Sequence, residues 1–435
     1  MALSLGSTRA RPVPAEHRSN FNHLIRDIAW FGVLNGSAIA FVAVYATRLG
    51  ASAFQIGLLN ASPAVVNLLF ALPAGRWLQS RPISRSTFVA SILHRWFYLL
   101  WVILPIVLAS EEQVWMLVAI TILMSIPGAA LAIGFNGLFA AAVPEEWRAQ
   151  VVGVRNAFYA VTSIIVTYVC GRLLDASPFP LGYQLVFLIG CIGAAMSSLH
   201  LWFVRPVDEH RRPGMGKSMG DWAKPGELGM WQSLRMSVGL RFLVKANPLK
   251  SEWMKPFRNQ PFRKVMVLVL AMHLAQYMAV PLFPLFLVNE LNVSDQILGM
   301  GNSLFYVSLF LVSTRLDFVA GRIGNQRAMA LGIMVISLYP AIISQAADSS
   351  YYLLASLVGG AGWALAGGAV GNYVLEKVPN DSRPSYLAWY NMSLQAGILL
   401  GALIAPAMAA WWGLTIGLVV AAVLRLVTGL AIWRA

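Results

Sequence analysis

The chain has 435 residues, of which 58% are hydrophobic and 11% are charged, and its formal net charge is +14. The charges are bunched between long apolar runs, which is typical of a protein that crosses a membrane many times and excludes an ordinary soluble domain. The excess of Lys and Arg does not indicate nucleic-acid binding, because it is not gathered on one folded face. Cys170 and Cys191 lie inside apolar runs and are expected to be reduced packing residues.

The chain divides into two apolar halves with a basic segment between them. Residues 1–27 are polar and carry four arginines, and we expect them to form a cytoplasmic tail without a cleaved signal peptide. A bilayer core requires about 20 apolar residues per helix. This window predicts six spans in 28–204 and six in 265–435, on either side of a cytoplasmic linker, 205–264. The twelve predicted spans are 28–48, 56–78, 87–109, 114–142, 151–176, 184–204, 265–288, 297–320, 328–347, 351–375, 385–409 and 412–433.

The distribution of basic residues predicts the orientation. The linker alone holds 13 of the 32 Lys and Arg, and 28 of the 32 fall on the side of the two termini. Because positively charged loops stay in the cytoplasm, both termini are expected there. Within the linker, 228–244 mixes apolar residues with Arg235 and Arg241. This pattern fits either an amphipathic helix on the inner leaflet or a loosely ordered connection.

The two halves repeat each other. Adding 242 to a position near the start of the first half gives its counterpart, so that Gly57 matches Gly299 and Asn60 matches Asn302. Later the offset becomes 235, and Asn156 matches Asn391. Six plus six helices in a parallel repeat are typical of transporters whose binding site lies between the halves near the middle of the membrane.

Two loops carry a more specific resemblance. The loop after the second span reads Gly-Arg-Trp-Leu-Gln-Ser-Arg-Pro-Ile-Ser-Arg from Gly75 to Arg85, and its counterpart after the eighth runs from Asp317 to Arg327. Both resemble the Gly-x-Leu-Ala-Asp-Arg-x-Gly-Arg-Lys signature of the major facilitator superfamily. That resemblance covers all twelve spans and implies two six-helix halves related by a pseudo-two-fold axis.

Both copies of the signature depart from the family at its acidic position, which is Gln79 in the first loop and Gly321 in the second. In the family that acid stabilises the outward-open state. Asp317, one turn earlier on the same helix face, is a possible substitute. The gating candidates are Gly75, Gln79, Arg85, Arg148, Asp317, Arg322, Arg327 and Arg383.

Candidate substrate contacts come from polar residues inside the predicted spans. All 18 acidic residues are placed in loops or at helix ends, so no carboxylate is expected at mid-membrane. His273 is the best proton-coupling candidate, because its unperturbed pKa is near 6.5, although a structural hydrogen bond explains it equally well. Arg95 fits either an anionic substrate or a structural role, and for Arg425 we expect a structural role, either hydrogen bonds to backbone carbonyls or snorkelling towards the membrane surface. The candidate cavity residues are Asn35, Arg95, Tyr159, His273, Gln276, Tyr277, Asn302, Tyr306, Trp363, Asn391 and Gln395.

These residues predict a secondary transporter in the cytoplasmic, or inner, membrane that moves a small organic solute by alternating access, with proton coupling left open. Amide, phenol and indole groups suit a neutral or weakly charged molecule. The alternative is a transporter-like sensor, lipid scramblase or scaffold without solute flux.

The sequence lacks enzyme and nucleotide-binding motifs, so we expect no enzymatic activity, cofactor or metal. The expected partners are a small-molecule substrate and membrane lipid, with no nucleic acid, and the expected state is a monomer.

Overall fold

The computed structural model describes residues 14–207, 255–379 and 383–435. These ranges consist of helices and short connections, and no strand occurs in them. Residues 1–13 of the predicted tail and 208–254 of the basic linker, including 228–244, lie outside the described residues. The fold can therefore be followed through both apolar halves.

The first half contains six long helices. Helix α1 begins well before the predicted span and is interrupted by a π-helical turn, and α3 is interrupted at Trp96. The bounds are Ala15–Leu34, Asn35–Ile39 (π) and Ala40–Arg48 for α1, Ala53–Gln79 for α2, Ile83–Arg95 and Phe97–Val107 for α3, Ser110–Ala142 for α4, Glu145–Ala176 for α5 and Leu181–Trp202 for α6.

The second half contains five long helices in the described residues, of which the last is the longest. A short helix, Lys255–Arg258, precedes α7, and another, Leu316–Ile323, follows α8. The bounds are Gln260–Ala279, Leu282–Leu285 and Phe286–Glu290 (π) for α7, Asp295–Ser313 for α8, Asn325–Ser344 for α9, Ser349–Glu376 for α10 and Arg383–Arg434 for α11.

Eleven of these helices are long and apolar enough to cross a membrane, within the described residues. The last, α11, has 52 residues, which would measure about 78 Å if it were straight, against a bilayer core of about 30 Å. Gly413 interrupts it with a φ of 78° and a ψ of 167°, a conformation that only glycine adopts easily. We call the parts on either side of Gly413 the N-terminal and C-terminal arms of α11.

Repeat-related serines begin two of the helices. Ser52 caps α2. Its hydroxyl accepts from the backbone N–H of Gln55, and the side-chain oxygen of Gln55 accepts from the backbone N–H of Ser52. Ser294, its counterpart, accepts from the Ile297 amide at the start of α8. Matching caps fix matching helix starts, so the repeat in the sequence becomes a repeat in the backbone.

The halves meet through two symmetric helix pairs. Helix α5 packs on α8, and α2 packs on the N-terminal arm of α11. Inside the first half α4 packs on α2 and α3 and α1 on α5 and α6, whereas in the second half α9 packs on α10 and α11 and α7 on α11. We call the bundle end with Arg48 and Asp295 the distal face, and the end with both termini the proximal face.

Candidate functional site

An ion pair joins the halves at the distal face. The Arg48 guanidinium at the end of α1 donates to the Asp295 carboxylate over 3.0 Å and to the Val293 carbonyl oxygen over 2.8 Å. The Arg48 side chain is 27% exposed and that of Asp295 is 11% exposed. This pair therefore links the start of α8 to the other half at the boundary between the bundle and solvent.

Three glycines allow the backbones of the two halves to touch beside this ion pair. A Cβ atom at Gly57 would lie 2.6 Å from the Ala402 carbonyl oxygen, and one at Gly299 would lie 2.6 Å from that of Thr167. A Cβ atom at Gly171 would lie 2.8 Å from the Asp295 carbonyl oxygen. Such distances are too short for any other residue type. We call these three glycines, with Arg48 and Asp295, the distal seal.

A polar cluster lies below the distal seal at mid-depth. The Asn35 amide donates to the Tyr306 hydroxyl over 2.8 Å, which joins α1 of the first half to α8 of the second. The Tyr159 ring on α5 meets the Tyr306 ring edge-on, with 6.3 Å between centroids. Asn35 and Tyr306 lie about 15–20 Å along their helices from the distal ends. We call Asn35, Tyr159 and Tyr306 the mid-depth cluster; all three are among the residues that the sequence predicts.

The position of Asn35 follows from the packing of α1. A Cβ atom at Gly36 would lie 2.8 Å from the Ser163 carbonyl oxygen, so α1 sits directly against α5. On the opposite side, a Cβ atom at Gly193 would lie 2.9 Å from the Leu34 amide, which brings α6 equally close. The π-helical turn begins at Asn35 itself, and such turns are frequent at functional sites. Because α5 and α6 cover two sides of α1, Asn35 faces the other half.

Other predicted cavity residues lie in the second half with partly exposed side chains: Gln276, Tyr277, Asn302, Trp363 and Gln395. Their role as substrate contacts remains a prediction.

His273 and Asn391 are more deeply buried than these five residues. His273 is 4% exposed, and its Nδ1 lies 2.8 Å from the Val269 carbonyl oxygen of its own helix. It sits where α7 crosses the N-terminal arm of α11, since a Cβ atom at Gly397 would lie 2.7 Å from the His273 Cβ. Asn391 is 2% exposed, and within the described chain neither its amide nitrogen nor its oxygen has a hydrogen-bond partner. A buried amide without partners is costly in this state of the protein.

Arg95 takes part in a buried ion cluster that the sequence does not reveal. Its Nη2 lies 3.9 Å from Asp27 Oδ1, and its Nη1 donates to the Ser198 hydroxyl over 3.0 Å. Arg155 on α5 reaches the other oxygen of Asp27 over 3.4 Å, and the Ser197 hydroxyl donates to Oδ1 over 2.5 Å. Asp27 has no exposed surface at all. We call Asp27, Arg95, Arg155 and Ser197 the buried ion cluster.

Arg425 reaches backbone carbonyls, one of the two structural roles that the sequence predicts. It is 1% exposed and donates to the carbonyl oxygens of Ala275 over 3.3 Å, Gln276 over 2.8 Å and Ile336 over 3.3 Å. The Ile336 carbonyl would normally accept from residue 340, which is a proline without an N–H group. The guanidinium therefore satisfies a carbonyl that Pro340 leaves without its helical donor.

The gating candidates lie at the proximal face. Arg148 donates to the carbonyl oxygens of Ala140 over 3.1 Å and Val143 over 3.2 Å, which ties the start of α5 to the end of α4. Arg322 stacks over Phe318 at 4.1 Å, and Arg383 is the first residue of α11. Gly75 is buried, while Gln79, Arg85, Asp317, Arg322 and Arg327 are exposed. A gating role for these residues remains a prediction.

No metal centre is evident in the described ranges, where no three His, Cys, Asp or Glu residues come close enough to hold an ion. The mid-depth cluster offers uncharged donors and acceptors between two helix bundles, an arrangement that suits binding rather than bond cleavage. The sequence profile of the Major Facilitator Superfamily matches residues 28–273 and 265–435. The chain belongs to this superfamily of transporters.

Solved structures share the superfamily fold across almost the whole chain. A mutant form of the nucleoside transporter NupG has 15% identity and a TM-score of 0.68, with 95% of this chain and 99% of that one covered. The xylose transporter XylE from E. coli, in a partially occluded inward-open conformation, has 13% identity and a TM-score of 0.65, with 97% and 98% covered.

A bacterial homologue of the iron transporter ferroportin, in an inward-facing state, has 13% identity and a TM-score of 0.65, with 98% and 100% covered. These likenesses show the fold of a multi-pass membrane transporter. No curated protein sequence matches the chain.

Proposed function

We propose that this protein is a secondary transporter of the cytoplasmic membrane that moves a small, neutral or weakly charged organic solute by alternating access. The observation that carries the proposal is the hydrogen bond between Asn35 and Tyr306, which joins the two halves at mid-depth. The solute displaces this bond and takes its place between the halves. Because both halves belong to one chain, a monomer contains the complete site.

The basic residues support the orientation. The linker and the loops of the proximal face carry most of the Lys and Arg, which favours a cytoplasmic proximal face. Two crossings by α11, with Gly413 as the turn between them, would then give twelve spans and return the chain to the cytoplasm. On this assignment the closed distal seal faces the outside, and the conformation is inward-facing.

The chemistry of the cluster supports the substrate class. An amide and two phenols donate and accept hydrogen bonds but carry no charge at neutral pH. A strongly charged solute would need a compensating group, and the buried ion cluster lies inside the first half with its charges already engaged. Two buried residues, Asp27 and His273, are candidates for proton coupling. The separate variants Asp27→Asn and His273→Gln would distinguish between them.

The test combines ligand screening with transport. Purified protein is screened for thermal stabilisation by a panel of neutral, cationic and anionic solutes, since a ligand of the native state stabilises it by RT ln(1 + [L]/Kd). The hits are then measured for counterflow in liposomes. Stabilisation without counterflow would favour a sensor and contradict transport.

Tyr306→Phe is the diagnostic variant, and Tyr386→Phe is its matched control. Both remove one tyrosine hydroxyl that accepts from an asparagine amide, Asn35 at 2.8 Å in the first case and Asn259 at 3.2 Å in the second. We expect Tyr306→Phe to weaken solute binding by about tenfold, the equivalent of one hydrogen bond, while Tyr386→Phe binds normally. Equal affinity in the two variants would place the solute elsewhere.

Alternating access is tested separately at the distal seal. Gly299→Ala places a Cβ atom against the Thr167 carbonyl, whereas a Cβ atom at Gly153 has nothing within 4 Å, so Gly153→Ala is the control. Spin labels on the exposed positions Asp175 and Glu290, with Cys170 and Cys191 replaced by alanine, report the width of the distal face. We expect the distance distribution to lengthen in Gly299→Ala only. An unchanged distribution would mean that these glycine contacts do not control closure.

A further inference from the structure

An apolar groove opens on the outer surface of the first half. Helices α2 and α3 both pack on α4 but contact each other little, and the space between them has a volume of about 500 Å³. Four aromatic side chains line it, Phe70 and Trp77 from α2 and Trp96 and Phe97 from α3, and Pro127 of α4 lies at its floor. Pockets of this size hold small organic ligands in many proteins.

The groove faces the bilayer. Leu93 and Trp96 on one wall are each 50% exposed, and Leu123 on the floor is 52% exposed. Such residues on membrane-spanning helices contact lipid hydrocarbon. The groove extends about 10 Å along α2, from Phe70 to Trp77, and Trp77 lies two residues before the proximal end of that helix at Gln79. An occupant therefore enters from the leaflet at the proximal face.

An arginine lies at the proximal mouth of the groove, and the same segment carries two more. The Arg81 guanidinium lies over the Trp77 ring at 4.9 Å and donates to the Trp77 carbonyl oxygen over 3.3 Å. Arg76 and Arg85 are exposed nearby. The segment from Gly75 to Arg85 contains no acidic residue, so its basic groups have no acid within the loop to neutralise them. The mouth is cationic where the groove ends.

We propose that this groove binds an anionic phospholipid, with one acyl chain between α2 and α3 and the phosphate at Arg81 and Arg85. The apolar walls match the chain, and the cationic mouth matches the headgroup at the depth where an inner-leaflet headgroup lies. The geometry distinguishes this occupant from a neutral lipid, which would leave the arginines unused, and from a free anion, which would leave the groove unused.

The experiment measures lipid binding to the full chain in detergent, by native mass spectrometry and by thermal stabilisation. Phosphatidylglycerol is compared with phosphatidylcholine of the same acyl chains, and inorganic phosphate forms a third arm. We expect phosphatidylglycerol to bind more tightly than phosphatidylcholine. The preference should fall by about thirtyfold in the double variant Arg81→Gln, Arg85→Gln, because each basic residue near an anionic headgroup contributes about a factor of five.

Two further variants keep the test decisive. Arg322→Gln with Arg327→Gln removes two exposed arginines from the repeat-related loop and should leave the preference unchanged. Ala74→Phe fills the groove from its α2 wall and should weaken both lipids. Equal binding of the two lipids to the wild type, stabilisation by phosphate alone, or full lipid binding in Ala74→Phe would each overturn the proposal.

Discussion

The two halves repeat each other in backbone, yet they accommodate buried arginines in different ways. In the first half, the Asp27 carboxylate receives Arg155 at 3.4 Å and Arg95 at 3.9 Å. In the second half, Arg425 bonds three backbone carbonyls on α7 and α9, and no carboxylate is among these partners. The duplicated architecture therefore constrains helix packing, while the means of satisfying a buried charge is local to each half.

Carbonyl oxygens without helical donors explain how the second half accommodates Arg425 without a carboxylate. Pro340 removes the donor for the Ile336 carbonyl, and Gln276 lies in the last turn of Gln260–Ala279, just before Pro281. Helix ends and prolines leave carbonyl oxygens without intrahelical donors. A guanidinium has five N–H groups and can serve several such oxygens at once. Arg425, the break in α7 and the proline inside α9 are therefore complementary features.

The largest expected effect is in the buried ion cluster. Asp27→Asn removes the carboxylate and leaves Arg95 and Arg155 buried without their counter-ion. Breaking a buried ion pair in this way costs about 3–5 kcal/mol in the free energy of unfolding. Reversible denaturation in mixed micelles measures this loss, with Asp175→Asn, which alters an exposed acid at the end of α5, as the control. Equal stability of the two variants would show that the cluster contributes little.

A smaller loss is expected for Arg425→Met. This change removes the charge together with its donors, so what remains is a set of carbonyl oxygens without partners. Leaving such buried groups unsatisfied costs about 1–3 kcal/mol. The same denaturation measurement applies, with Arg434→Met, at the exposed end of the same arm, as the control. If Arg425→Met lost more stability than Asp27→Asn, the contrast between the halves would be wrong.

The smallest effect is expected at the partly exposed ion pair between the halves. A double-mutant cycle with Arg48→Gln and Asp295→Asn should give a coupling of about 0.2–1 kcal/mol, because solvent screens a pair with 27% and 11% exposed side chains. The coupling should shrink as salt is raised from 0.1 to 1 M, where the Debye length falls from about 10 to 3 Å. A coupling that salt leaves unchanged would indicate a pair shielded from solvent.

The repeat made much of the fold predictable. Gly57 and Gly299 match in the sequence, and both lie where one half touches the other, because close backbone approach requires glycine at either crossing. That Asn35, Tyr159 and Tyr306 come together was predictable, since polar side chains on opposed apolar helices cost free energy unless they meet one another or a ligand, while their role as cavity residues remains a prediction. The hydropathy of the sequence assigns these residues to membrane spans, and the arrangement of six plus six helices predicts that those spans pack together.

The buried ion cluster escaped prediction for a physical reason. A hydropathy window measures average polarity, so it places Asp27 in the tail and Arg155 beside a loop, although α1 begins at Ala15 and α5 at Glu145. Charged residues that pair with one another inside a bundle cannot be distinguished in the sequence from charged residues that lie in water. The signal that could have found them is the combination of Asp27, Arg95 and Arg155 near the proximal parts of helices that pack together.

Under the proposed alternating access, the glycine contacts of the distal seal also set the speed at which it opens. Where Gly171 meets Gly299, backbone lies against backbone, and there is no side chain whose rotation could open a passage. Rotamer changes take picoseconds to nanoseconds, whereas movements of whole helices take about microseconds to milliseconds. Each proposed opening would therefore have to separate α5 from α8 and α2 from α11 as complete units, and this slower motion would limit how many times per second the distal face can open.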